Sequence, residues 1–152
     1  MSSVELGDLL YEVELKIIGV TEYGISMESL ASGKTAPPPE GARIDVAFEG
    51  ESSGPRIAGK ARGVDYLHIR ADGKFQLHVH AELTTSDGQK ISLFADGVGT
   101  PREGEPISDL RENVTLTTSA EAYAWVNTLQ VWGIGTVNLA EQVIRIKGYA
   151  AK

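Results

Sequence analysis

Residues 66–97 constrain the fold more than any other part of the chain. They contain three stretches of alternating apolar and polar residues, 66–70, 75–84 and 89–97. Ala71-Asp72-Gly73 and Ser86-Asp87-Gly88 join them. A period of two places alternate side chains on opposite faces and makes a half-buried strand. An x-Asp-Gly connector suits a three-residue hairpin loop with glycine in the left-handed region. A two-residue loop would set Ile69 against Gln76 and Leu67 against His78, mixing the faces. The three-residue loop sets Ile69 against Phe75 and Leu67 against Leu77, and register follows the apolar pattern. Extended to the third stretch, the register sets Ala81 against Leu93 and Val79 against Ala95. The reading is an antiparallel meander with one apolar and one polar face; the pattern alone leaves open which face points inward.

The same alternation recurs elsewhere. Leu9, Tyr11, Val13, Leu15 and Ile17 share a face, as do Ile44, Val46 and Phe48. Further strands are expected over 112–118, 129–137 and 141–149, with a short helix near 119–126 that Ser119 is placed to cap. Residues 20–41 are expected to form a long connection, with an excursion around 25–30 before the extended run Pro37-Pro38-Pro39. Eight to ten short strands joined by turns predict an all-β fold, a closed or nearly closed antiparallel barrel, with an open sandwich as the alternative. The 152 residues fit one domain, residues 1–7 being read as a disordered tail.

Charge and motifs narrow the function. The net charge is −7, and the nearest approach to a basic cluster is the scattered set Arg56, Lys60 and Arg62. Phosphate backbones and anionic lipid surfaces need clustered cations, so neither nucleic acid nor a membrane is an expected partner. The chain has no cysteine, hence no disulfide and no thiolate metal site. Residues 1–7 lack the basic and apolar regions of a secretory signal, and a cytoplasmic location is expected. No phosphate-binding glycine loop, nucleophile elbow or dinucleotide fingerprint is present, and no cofactor is expected.

Asp65 is the sharpest anomaly. The register puts it on the apolar face, in line with Leu67 and Ile69 and opposite Val79. A desolvated carboxyl in an apolar site is a candidate acid, base or ligand anchor; the competing reading is a bulge that turns it to solvent. On the polar face, Tyr66, His78 and Asp96 fall in one row, with His68 opposite Gln76 and Arg62 opposite Glu82. Such a row is either an acid–base array or a solvated outer face with cross-strand polar pairs. His78 and His80 share that face with His68, but the pair alone is a weak metal signal, and no metal is expected. Tyr123, Trp125 and Asn127, on or just after the helix, are placed to close one end of the barrel. Trp132 suits an outer contact between copies. Gly133 and Gly135 either permit close backbone approach or make room in the lumen.

Gly63-Val64-Asp65-Tyr66-Leu67, Thr85-Ser86-Asp87-Gly88, Tyr123-Ala124-Trp125-Val126-Asn127 and Val131-Trp132-Gly133-Ile134-Gly135 together resemble the bacterial family called domain of unknown function 3237. The resemblance runs from about Leu9 to Tyr149. It implies a calycin-like (lipocalin-like) barrel with a lumen and a homo-oligomer, and it implies no activity. It departs from the family at His80-Ala81, where members often carry an Arg-Tyr pair, which points to a different ligand.

The resulting expectation is a barrel that binds a small, largely apolar organic molecule. Asp65 and Tyr66 would anchor the ligand, with Tyr123, Trp125 and Asn127 closing the pocket. The alternative is a small enzyme of isomerase, lyase or lactone-hydrolase type in the same pocket, with Asp65, Tyr66 and His78 as its catalytic groups. A structural, oligomerising domain is the third reading.

Overall fold

A computed structural model describes residues 5–151. Eight antiparallel strands close into a barrel in which each pairs with its neighbours in sequence and β8 returns to β1. They are β1 (Leu6–Glu22), β2 (Ala42–Ser53), β3 (Gly59–Ile69), β4 (Phe75–Thr85), β5 (Lys90–Pro101), β6 (Ile107–Thr117), β7 (Val131–Asn138) and β8 (Val143–Ala151). Closure removes the sheet edges that an open sandwich would expose. Residues 1–4 of the expected tail lie outside the described residues, whereas Leu6 and Gly7 already belong to β1.

The meander adopts the expected register. Ile69 pairs with Phe75, Asp65 with Val79, Ala81 with Leu93 and Val79 with Ala95. Both turns are three-residue loops: the N–H of Arg70 donates to the Lys74 carbonyl at 2.9 Å, and that of Thr85 to the Gln89 carbonyl at 2.8 Å. Gly73 and Gly88 take φ of +85° and +87°, the left-handed values such loops require.

The apolar face points inward. Leu67, Leu77, Val79, Leu83 and Ala95 are buried, as are Ile44, Val46 and Phe48 on β2 and Leu110, Val114 and Leu116 on β6. Each large aliphatic side chain so enclosed contributes about 1.5–3 kcal/mol relative to exposure. The outward positions carry charge, including the pairs Arg62–Glu82 at 2.6 Å and Lys147–Glu12 at 3.3 Å. A broad outer recess over β1, β2, β3 and β8 is lined largely by such charged residues, many of them ion-paired, and it is not the lumen.

The two ends of the barrel differ. One is sealed by Leu10, Ile57 and Val126, all nearly inaccessible. Val126 belongs to a 3-10 helix, Glu121–Thr128, where a helix near 119–126 was expected. Ser119 does not cap it: the cap position is Ala120, with no side-chain hydrogen bond. At the other end the long 20–41 connection folds into a helix the sequence pattern did not reveal, α1 (Met27–Ala31). The Ser26 hydroxyl caps it by accepting the Ser29 N–H at 3.0 Å. That end stays open.

Candidate functional site

A cavity of about 950 Å³ occupies the open half of the lumen. Its wall is mostly aliphatic and aromatic, with Val46, Leu67, Phe75, Leu77, Leu110 and Ile144 among the contributors. Asp65 also lines it. The size is at the upper end of the range for small-molecule sites.

Asp65 is held by the strand beside it. Between the Asp65–Val79 and His68–Gln76 pairs, the bridges expected for Tyr66 with His78 and Leu67 with Leu77 are missing, although the register is unchanged on either side. In this gap the Asp65 carboxylate accepts the backbone N–H of His78 at 3.0 Å. The side chain thus satisfies a donor that the ladder leaves unpaired. No bulge turns it to solvent.

Glu112 is the second polar group. It follows Leu110 as the next inward residue of β6, so it lies one step closer to the sealed end than the cavity wall. It is 8 % exposed, with no hydrogen bond or ion pair to any described residue. Its two strand neighbours are Gly97 and Gly133. A Cβ on Gly133 would come within 2.8 Å of Glu112 Oε1, so that glycine makes room for the carboxyl. Gly135 serves the other purpose, allowing the backbone of β8 to approach closely at Arg145.

Tyr11 is the third. Its ring is 2 % exposed and lies over Gly148, where a Cβ would meet the ring and come within 2.7 Å of Oη. Tyr11 and Glu112 are close enough for the Glu112 charge to raise the phenol's pKa, though burial is the larger cause.

These surroundings set the protonation states. Burial pushes the Asp65 carboxyl up to about 6, while the His78 N–H and the nearby Arg43 guanidinium favour its ionised form. Burial, reinforced by the Asp65 charge, pushes Glu112 up to about 8. The Asp65 charge raises Glu112, so Asp65 loses its proton first. Around neutrality Asp65 is ionised at the cavity wall, and Glu112, one inward position nearer the sealed end, is protonated.

The other sequence candidates fall elsewhere. Tyr66 and His78 point outward, and Tyr66 is 39 % exposed. The row Tyr66, His78, Asp96 is therefore a solvent-facing surface, and the sheet separates both side chains from the chamber that Asp65 faces. Tyr66 does not share a pocket with Asp65, and His78 contributes its backbone, not its ring, to the site. The outer imidazoles of His78 and His80 pack with Tyr66 and Phe94 at ring-centroid distances of 5.2–6.4 Å. His78 Nε2 and His80 Nε2 lie 3.2 Å apart. His68 is one residue beyond the gap in the ladder, paired with Arg43 and Gln76. Among the described residues, no three His, Asp or Glu side chains are grouped to hold a metal ion.

Tyr123, Trp125 and Asn127 sit at the sealed end, and none of them lines the cavity. The Tyr123 hydroxyl donates to Asp87 at 2.9 Å, and the Arg56 guanidinium stacks 4.0 Å over the Trp125 ring. Asn127 bridges Thr118, accepting its N–H at 2.9 Å and donating to its carbonyl at 2.8 Å. These residues close the barrel floor but do not touch the pocket. Trp132 is on the outer face, 39 % exposed, as expected for its strand position.

Residues 25–150 match the family model described as protein of unknown function (DUF3237). The chain belongs to this family. Solved structures share the barrel of this DUF3237 protein. A protein of unknown function from Rhodopseudomonas palustris is similar with a TM-score of 0.78 and 17 % identity, each chain covered in full. A β-barrel-like protein from Acinetobacter baumannii has a TM-score of 0.78 and 17 % identity over 100 % of this chain and 98 % of its own. An enzyme from Penicillium herquei has a TM-score of 0.66 and 21 % identity over 98 % and 96 %. At these identities the likeness is one of fold. No curated protein matches the DUF3237 chain.

Sequence reasoning found Asp65 because it breaks an apolar face. It placed Glu112 at the start of a strand and Tyr11 in an apolar stripe, without recognising either as a lumen group. The signal for Glu112 was present in the pattern Leu110, Glu112, Val114, Leu116, where a carboxyl occupies an inward position. Beside it on β7, Gly133 clears space for the carboxyl, and that becomes visible only once β6 and β7 are paired.

Proposed function

We propose that this barrel binds a small, largely apolar organic molecule in its open lumen, with the Asp65 carboxyl as the polar anchor. One observation carries this reading: a hollow of about 950 Å³ with mostly apolar walls also exposes a carboxyl that forms no ion pair among the described residues. A side-chain-filled lumen would instead have supported a purely structural role. Apolar walls supply affinity, and a few polar groups fix orientation.

The test is binding of Nile red, a neutral apolar fluorophore, to the parent and to Leu110→Trp. The added indole would project into the cavity that Leu110 lines. Saturable fluorescence enhancement that the folded variant loses supports lumen binding. Equal enhancement by both proteins contradicts it.

The Asp65–Glu112 pair favours a second reading, acid–base catalysis on a molecule bound in that lumen. Pairs of carboxyls whose environments separate their pKa values supply one base and one acid at the same pH. Asp65 at about 6 would take a proton and Glu112 at about 8 would give one. The Penicillium herquei enzyme shows that this fold is compatible with catalysis. For a substrate that is turned over, kcat/KM is expected to peak between about pH 6 and about pH 8. Asp65→Asn should remove the acidic limb and Glu112→Gln the basic one. An unaltered profile in both variants contradicts the assignment.

A further inference from the structure

We propose that the lumen takes an apolar molecule with two polar groups, a hydroxyl that donates to Asp65 and an oxygen that accepts from Ser108. This deepens the lumen-binding reading and rests on it.

Among the described residues that line the cavity, every polar side chain except those of Asp65 and Ser108 is exposed to solvent. Ser108 is an inward residue of β6 and is 2 % exposed. Its ladder partners are Pro101 and Val137, whose side chains can neither donate nor accept. The Ser108 hydroxyl forms no hydrogen bond with any described residue. Yet no wholly enclosed polar side-chain atom among the described residues is without a partner. The hydroxyl therefore opens onto the cavity that Ser108 lines. A ligand that displaces solvent from this wall must offer the O–H an acceptor or leave it unsatisfied. A carbonyl oxygen meets that need.

Asp65 asks for the opposite group. Its Oδ1 accepts the His78 N–H at 3.0 Å, and Oδ2 has no hydrogen-bond partner among the described residues. The Arg43 guanidinium, on the outer face of β2, is engaged by Asp45 at 2.7 Å. An ionised carboxyl only accepts, so the ligand must donate. β3 and β6 stand three strands apart in a ring of eight, so the two groups enter the lumen from different walls. The ligand's hydroxyl and acceptor oxygen thus sit on separate parts of an apolar body, which packs against Leu67, Leu77 and Leu110.

The experiment titrates three naphthalenes against the Nile red complex of the full chain at neutral pH. They are 6-acetyl-2-naphthol, which carries both groups, 2-acetyl-6-methoxynaphthalene, which lacks the donor, and 6-ethyl-2-naphthol, which lacks the carbonyl. The hydroxy ketone is expected to displace the dye about tenfold more effectively than the methoxy ketone, and at least about threefold more effectively than the ethyl naphthol. Ser108→Ala should erase the carbonyl preference and keep the hydroxyl preference. Asp65→Asn should do the reverse, because the Asn carbonyl oxygen takes the His78 N–H and its amide NH2 faces the ligand. Since the Ser108 hydroxyl has no partner in the fold, Ser108→Ala should match the parent in urea unfolding. Equal displacement by the hydroxy ketone and the ethyl naphthol, or a carbonyl preference that survives Ser108→Ala, overturns the Ser108 contact. Equal displacement by the hydroxy and methoxy ketones overturns the Asp65 contact, and displacement by none of the three overturns both. In each case lumen binding of Nile red stands. Failure of Nile red itself to bind the lumen overturns the underlying reading and this inference together.

Discussion

The Asp65 carboxylate accepts the backbone N–H of His78 at 3.0 Å, while the His78 ring packs on the opposite side of the sheet against Phe94. One residue of β4 therefore contributes a main-chain donor to the chamber and an imidazole to the surface. The carboxyl substitutes for a ladder partner where β3 and β4 lose two bridges. Asp65→Asn keeps an acceptor at this position and should fold with nearly parental stability at acidic pH. Asp65→Leu leaves the His78 N–H without its partner and should cost about 1–3 kcal/mol. Urea unfolding of both variants checks the difference, and equal stability would show that the bond contributes nothing.

Stability should fall as pH rises. Asp65 moves from an ordinary 3.8 to about 6, and Glu112 from 4.5 to about 8, so the folded chain holds protons that the unfolded chain has released. In such a case each carboxyl destabilises the fold progressively between its unfolded and folded pKa, and the penalty is complete above the latter. The window runs from about pH 4 to about pH 8. Glu112→Gln should therefore be more stable than the parent above that window, by an amount on the order of a few kcal/mol and with a correspondingly higher Tm, and should lose the advantage below it. Parallel Tm curves across the range would contradict the buried-carboxyl description.

The close packing of Tyr11 on Gly148 gives a third expectation. Gly148→Ala inserts a methyl group into the ring, and overpacking of this kind costs about 1–3 kcal/mol. In a Tyr11→Leu background the same substitution should cost less, with a coupling energy of at least about 0.5 kcal/mol. Additive losses in the double-mutant cycle would mean that the two positions do not share space.

Asn127 separates fold from site. Asn127→Ala loses both bonds to Thr118 at the barrel floor and should cost about 1–2 kcal/mol in chemical denaturation. Nile red affinity should stay unchanged, because the cavity opens at the other end. A parallel loss of dye binding would make the floor part of the pocket.

Much of the barrel was legible because side-chain period and turn chemistry act locally. The Asp-Gly loops and the apolar alternation defined the β3–β5 register down to Asp65 opposite Val79. The start of β3 at Gly59 and the helix α1 were not legible, since neither carries a strong period. The three-dimensional site was only partly visible. Tyr66 and His78 neighbour Asp65 in sequence or across the ladder, yet the pleat sends their side chains outward. Tyr123, Trp125 and Asn127 suited an end of the barrel, and only the full topology distinguishes the sealed end from the open one. Glu112 and Tyr11 come from strands distant in sequence, and closure brings Glu112 within electrostatic reach of both Tyr11 and Asp65.

The most direct test is titration of the side-chain carboxyl groups of Asp65 and Glu112 by carbon-13 NMR, assigned through Asp65→Asn and Glu112→Gln. Titration of Asp65 at about 6 and Glu112 at about 8, with the Glu112 value falling when Asp65 is replaced, is the expected result. Both groups titrating near the ordinary carboxylate values of about 4, each indifferent to the other, would mean that no coupled acidic pair exists in the lumen and would contradict the account.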